Sequence, residues 1–125
     1  MRVLSLFSGV GLGDYGLELA GHTIVAQVEN DPYCQRILQL RWPHVPKWGD
    51  ICGVQPTELP ACDLLAGGFP CQDVSYAGTR EGMGGKRSGL WAEFHRLISD
   101  LRPRFVLVEN VSGLLQSGLG RVLGD

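Results

Sequence analysis

Apolar residues in this chain come in short runs separated by polar, glycine-marked turns. Val3 to Phe7 opens the pattern, and Thr23 to Val28, Asp63 to Ala66 and Phe105 to Val108 repeat it. Runs of this length, rich in aliphatic and β-branched residues and bounded by turn formers, predict buried strands. Trp48-Gly49-Asp50-Ile51 predicts a short third strand and its exit. Elsewhere the period lengthens. Leu90, Trp91, Phe94, Leu97, Ile98 and Leu101 recur at helical spacing, and Pro103 closes that helix. A first helix opens from the Ser8–Gly13 loop and runs to about Ala20, with Gly21 just past its last turn. A second starts with Asp31 as N-cap and Pro32 at the first helical position, and carries a Tyr33, Ile37, Leu40 stripe. The Pro56–Pro60 stretch reads as an irregular crossover, and a last helix begins near Ser112 or Gly113.

Strands alternating with helices predict an α/β fold, a doubly wound, mostly parallel sheet. The 125 residues fit a single domain. From Gly68 to Gly89 the chain turns glycine-rich and loses all periodicity. A loop of that length inside a compact domain is usually functional or mobile.

Composition narrows the classes. Apolar content of 44% and charged content of 19% describe a folded domain, not a disordered tail. A net charge of −2 gives no overall footprint for nucleic acid, so DNA contact must come from a local patch or from protein outside this chain. No apolar run is long enough to cross a bilayer, and Met1–Phe7 lacks the apolar continuation of a secretion signal. Cys34, Cys52, Cys62 and Cys71 form no C-x-x-C pair, which argues against a metal site. Reduced thiols in a cytosolic protein fit this usage, with Cys34, Cys52 and Cys62 read as small buried hydrophobes.

The chemistry gathers at predicted strand ends, where open α/β sheets build their sites. Gly9, Gly11 and Gly13 after the first strand let backbone approach a ligand at a helix N-terminus. Glu29 ends the second strand and could accept hydrogen bonds from both hydroxyls of a ribose. Asp50 ends the third. Together they favour an adenosine-type cofactor. Gly11 to Gly16 also matches G-x-G-x-x-G, but its first glycine comes later after the strand than the dinucleotide fingerprint prefers. A nicotinamide enzyme would leave the next two motifs unexplained.

Those motifs are Gly67-Gly68-Phe69-Pro70-Cys71-Gln72 after the fourth strand and Glu109-Asn110-Val111 after the fifth. Singly, Cys71 could be a buried hydrophobe and Glu109 a surface acid. Paired at one sheet edge, they are a nucleophile and a proton-sharing carboxyl. A thiol is only a few per cent ionised at neutral pH, so the nucleophile needs an environment that lowers its pKa.

With these residues in hand, the chain resembles the DNA (cytosine-5)-methyltransferases. Phe7-Ser8-Gly9-Val10-Gly11 is similar to the family's cofactor motif, Glu29-Asn30-Asp31 to its ribose-binding acid, and Gly49-Asp50-Ile51 to its adenine segment. Gly68-Phe69-Pro70-Cys71-Gln72 with Ser75 resembles the catalytic loop, Arg87-Ser88-Gly89-Leu90-Trp91 the segment after it, and Glu109-Asn110-Val111 the glutamate motif. The likeness runs in the family's order from Met1 to about Gly124. It implies a Rossmann-like fold dependent on S-adenosylmethionine, held by Phe7, Gly9, Val10, Gly11, Leu12, Glu29, Asn30, Asp50, Ile51, Pro70 and Leu90. It implies that Cys71 adds to C6 of a cytosine flipped from double-stranded DNA while Glu109 contacts the ring, with no metal. Phe69, Pro70, Gln72, Ser75, Arg80, Lys86, Arg87 and Asn110 would face substrate or DNA, and the segment from Asp73 to Ser88 could close as a lid.

Leu12 and Gly13 depart from the family, which usually has glycine and then an apolar residue there. The family's arginine-rich strand motif, target-recognition domain and closing segment are also not found. The chain is therefore expected to be the N-terminal catalytic and cofactor-binding part of a cytoplasmic, prokaryotic or phage-like enzyme of the restriction-modification kind. It would need a complementary C-terminal subunit, or self-associate, and would methylate negligibly alone. The alternative is a catalytically idle module that binds S-adenosylmethionine or a partner.

Overall fold

The computed structural model describes residues 1–70, 89–112, 114–115 and 119–125. Five parallel strands form one sheet in the order β3-β2-β1-β4-β5. They are β1 (Arg2–Leu6), β2 (Thr23–Val28), β3 (Lys47–Trp48), β4 (Leu64–Gly67) and β5 (Phe105–Val108). The helices are α1 (Leu12–Leu19), α2 (Pro32–Arg41), α3 (Gly89–Leu101) and α4 (Leu119–Gly124). The doubly wound parallel sheet expected from the sequence is the sheet observed.

Alternation along β1 and β4 divides the core, and the register shift of β2 against β1 between Val3 and Leu4 lets Ile24 and Ala26 take opposite faces. Leu4, Leu6, Ala26, Val28 and Leu65 face Trp91, Phe94 and Leu97 of α3. Val3, Ile24, Leu64 and Ala66 form a smaller cluster on the opposite face, with Leu17 of α1 against it. Capping sets the second helix as expected. The Asp31 carboxylate accepts from the Cys34 N–H at 2.9 Å, with Pro32 opening the helix.

Three boundaries differ from expectation. β3 ends at Trp48, because Asp50 caps a 3-10 turn over Ile51–Gly53 and draws the chain out of the ladder. The expected crossover contains a second 3-10 turn, Pro56–Glu58, where the Gln55 N–H donates to the Glu58 carboxylate. β5 was expected to be buried, yet Phe105, Val106 and Leu107 are 48%, 41% and 49% exposed. The cause is position: β5 pairs with β4 and forms the end of the strand order, so one flank lacks a neighbouring strand's side chains. Nor is Cys52 a buried hydrophobe. It lies exposed on the 3-10 turn, and Cys34 and Cys62 are only half-buried.

One buried polar cluster escapes the apolar pattern. Asp14, in the first turn of α1, accepts from Ser5 Oγ at 2.6 Å and from Gln27 Nε2 at 2.7 Å. Burial pushes the Asp14 carboxyl above its ordinary value of 3.8, against the lowering effect of these two bonds. A raised folded value means that the native state holds this proton where the unfolded chain has released it. Asp14 therefore costs stability as pH rises from about 3.8 through its raised folded value. Asp14→Asn should flatten that part of the profile, measured as urea midpoint against pH. An unchanged slope would contradict the assignment.

Candidate functional site

The carboxyl ends of β1, β2, β3 and β4 meet at a narrow cleft of about 50 Å³. Phe7, Glu29, Asn30, Asp50, Ile51, Pro70 and Leu90 all line it, so seven of the expected cofactor residues converge. Beside it lies a wider hollow of about 440 Å³, which includes Gly9, Val10 and Leu12 and also Glu109. Phe7 borders both.

Backbone conformation makes the junction. Phe7 leaves β1 with φ of 53°, a left-handed conformation uncommon for a bulky residue. Its ring stacks on Phe94 at 6.3 Å, and that packing holds the turn. Gly9 follows with φ of 56°, and a Cβ there would meet no atom within 4 Å, so it would project into open space. Gly11 lines neither hollow. With φ of 84° it forms the N-cap of α1 and lies against Trp42 and Leu38.

Glu29 ties two loops together. The Gly9 N–H donates to Glu29 Oε2 at 2.7 Å and the Asp31 N–H donates to Oε1 at 2.8 Å. Two oxygens offer about four acceptor sites, so each oxygen keeps capacity for one further donor. A ribose diol is such a pair of donors. The carboxylate of Asp50 accepts from the Cys52 N–H at 3.0 Å and fixes the wall carrying Ile51.

At the other end of the site, the Glu109 N–H donates to the Gly67 carbonyl at 3.0 Å, continuing the β4–β5 ladder. Its carboxylate packs against Gly68, where a Cβ would stand 2.5 Å from Oε2. Asn110 does not simply face outward. Its Nδ2 donates to the Phe69 carbonyl at 3.0 Å, and its Oδ1 accepts from the Val111 N–H at 2.8 Å. Phe69 is buried with Trp91 and Phe94, at ring separations of 5.4 and 6.4 Å. Asn110 and Phe69 thus fasten the segment after β4 to the end of β5. Sequence reading assigned both to substrate, since their motif signals position but not direction. Cys71, Gln72, Ser75, Arg80, Lys86 and Arg87 lie outside the described residues, as does most of the expected lid.

The literal dinucleotide fingerprint lacks its physical basis. Gly13 and Gly16 lie inside α1, and a Cβ at either would meet nothing within 4 Å. That motif needs glycine where backbone, ligand and helix crowd together.

Among the described residues, no group of three His, Cys, Asp or Glu could hold a metal ion. No described helix is long and apolar enough to cross a membrane.

The model of the C-5 cytosine-specific DNA methylase family matches residues 1–125. The chain belongs to that family. It is 42% identical over 98% of its length to the Type II methyltransferase M2.BsuMI of Bacillus subtilis (strain 168), and covers 32% of that protein. It is 37% identical to the Type II methyltransferase M.AquIA of Picosynechococcus, again over 98% of its length, and covers 53% of it. The crystal structure of the Dnmt2 methyltransferase of S. pombe superposes with a TM-score of 0.77 at 27% identity, covering 99% of this methylase chain and 40% of that one. The chain thus spans between about a quarter and a half of the length of such curated relatives.

Proposed function

We propose that this chain is the cofactor-binding and catalytic part of a DNA cytosine-5 methyltransferase using S-adenosylmethionine. The observation that carries the reading is the meeting of two strand ends. The Glu109 carboxylate packs against Gly68, three residues ahead of Cys71, beside the hollow that Phe7 joins to the Glu29 cleft.

The residues suit the cofactor: a carboxylate with spare acceptor capacity for a diol, an aromatic wall at Phe7, and open space over Gly9. Glu29 would hold the ribose, Asp50 and Ile51 the adenine, and the Phe7–Val10 loop the remainder. When bound, S-adenosylmethionine supplies an electrophilic methyl group, its sulfonium–methyl bond breaking and the neutral thioether leaving. The Cys71 thiolate forms a bond to C6 of a flipped cytosine, and the C5–C6 π electrons become available at C5. Glu109 hydrogen-bonds the N3 edge and shares a proton with it, stabilising the charge that accumulates on the ring. Once C5 has taken the methyl group, loss of the C5 proton to solvent re-forms the double bond and expels Cys71 as thiolate. The Asn110 bond to the Phe69 carbonyl ties the chain two residues ahead of Cys71 to the segment that carries Glu109.

Sequence readout and the rest of the base-binding cleft would come from additional protein covering β5, whose apolar residues stand half exposed. That protein is a complementary C-terminal portion. Self-association through the same edge is the competing outcome. The location would be the cytoplasm of a cell carrying a restriction-modification system.

The test uses duplexes containing 5-fluorocytosine, with the purified chain plus or minus the C-terminal portion of a relative. Fluorine at C5 cannot leave as a cation, so a working enzyme stays bonded through Cys71. An adduct is expected only in the complemented sample with cofactor, and not with Cys71→Ala. Cofactor binding without any adduct in the complemented sample would favour the idle module. Adduct formed by the chain alone would refute the need for a second portion.

A further inference from the structure

Arg96 is absent from every motif above, yet it reaches across the molecule to the cofactor cleft. It lies on α3, just after Phe94 in the helix. Its Nη2 donates to two backbone carbonyls, Ile51 and Val54, both at 3.2 Å. Its Nε donates to Glu93 Oε2 at 2.7 Å, one turn back on the same helix. The two carbonyls belong to the 3-10 turn that carries the Ile51 wall of the cleft. The Ile51 carbonyl also accepts from the Val54 N–H at 3.2 Å, closing the turn, and one guanidinium nitrogen bonds the carbonyls of both residues at once.

The same turn is fixed from its other end by the Asp50 carboxylate on the Cys52 N–H. Asp50 therefore caps the turn from before Ile51, and Arg96 clamps the carbonyls of Ile51 and of the C-cap Val54. α3 also supplies Leu90 to the cleft directly and backs Phe7 through Phe94. A rigid wall lowers the ordering cost of binding, since the loop need not be fixed when ligand arrives.

We propose that Arg96 is a positioning residue for the adenosine end of the cofactor, acting through the Ile51–Val54 backbone from nearly two turns beyond Leu90 on the same helix. The proposal rests on the S-adenosylmethionine reading above. Glu93 takes part by aiming the guanidinium. A lysine at this position could still donate to carbonyls, as Lys47 Nζ does to those of Trp42 and Val45, but it lacks the separate Nε–H that Glu93 holds.

The experiment measures binding of S-adenosylmethionine, adenosine and methionine to the full chain by titration calorimetry, beside thermal unfolding without ligand. Arg96→Met keeps most of the apolar stem and should weaken S-adenosylmethionine and adenosine by the same factor, roughly tenfold, with methionine unaffected. Arg96→Lys should recover part of that loss. A merely structural role would lower the unfolding temperature and the active fraction while leaving the affinities of the folded molecules equal. Unchanged adenosine affinity in Arg96→Met, with the unmodified chain binding normally, would overturn the positioning role alone. If the unmodified chain binds neither S-adenosylmethionine nor adenosine, the cofactor reading itself falls, and this assignment with it.

Discussion

Glu29→Ala should reduce S-adenosylmethionine affinity at least about a hundredfold and destabilise the chain at the same time. The two effects have separate causes. A charged carboxylate bonded to two ribose hydroxyls is worth about 1.5–3 kcal/mol per bond, and each 1.4 kcal/mol is a tenfold change in affinity. In the free protein the same oxygens accept from the Gly9 and Asp31 N–H groups at 2.7 and 2.8 Å. Removing them leaves the Gly9 amide without its acceptor beside a partly buried loop, costing about 1–3 kcal/mol. Glu29→Gln separates the causes. One amide oxygen can still serve one backbone N–H, so stability should partly return while affinity stays low. Calorimetric binding within about threefold of the unmodified chain for Glu29→Ala would refute the ribose assignment.

Gly11→Ala should remove about 2–5 kcal/mol of stability without touching any ligand. Its φ of 84° is a left-handed conformation that an L side chain adopts at a cost of about 1–2 kcal/mol. Space is the larger obstacle. The added Cβ would penetrate the Trp42 ring and stand 3.0 Å from a methyl of Leu38, and both residues are buried. Overpacking of this kind costs a further 1–3 kcal/mol or so, against a total stability of about 5–15 kcal/mol. The urea midpoint should fall sharply with an unchanged slope. A change of less than about 1 kcal/mol would mean that the α1–α2 contact relaxes freely. Sequence reading placed Gly11 on the cofactor; the coordinates give it the task of seating α1 beside the end of α2.

That difference is typical of what the chain displayed openly and what it concealed. β1, β2, β4 and β5 were visible because short apolar runs between turn formers have few other readings, and α3 because Leu90 to Leu101 keep helical spacing. Their parallel order followed from alternation with helices. Strand alternation says nothing of which strand lies at an edge, so the exposure of Phe105 to Leu107 was not visible. The convergence of Glu29 and Asp50 was visible because strand ends of a doubly wound sheet share one rim, whereas Phe7, Ile51, Pro70 and Leu90 were legible only through the family resemblance. Polar contacts between distant elements were hidden. Nothing in the local text at Asp14, Ser5 and Gln27 announces that they meet, though an acid early in α1 facing two polar strand positions is a signal that register could have supplied. Arg96 was hidden for the same reason: a lone cation in an amphipathic helix reads as solvated surface until the opposing carbonyls are known.

The placement of β1 between β2 and β4 governs how the molecule comes into being during synthesis. Of the five strands of this sheet the one synthesised earliest is its centre, and its second flank is closed by residues some 61 positions later, as the Arg2 bond to Asp63 records. At roughly 5–20 residues per second, that interval lasts several seconds. During it the β1–α1–β2 unit waits with an open apolar flank, and the distant closure makes folding slow for a chain this short. Expression at lower temperature, or alongside a holdase, should therefore raise the yield of this protein more than any change at its catalytic rim.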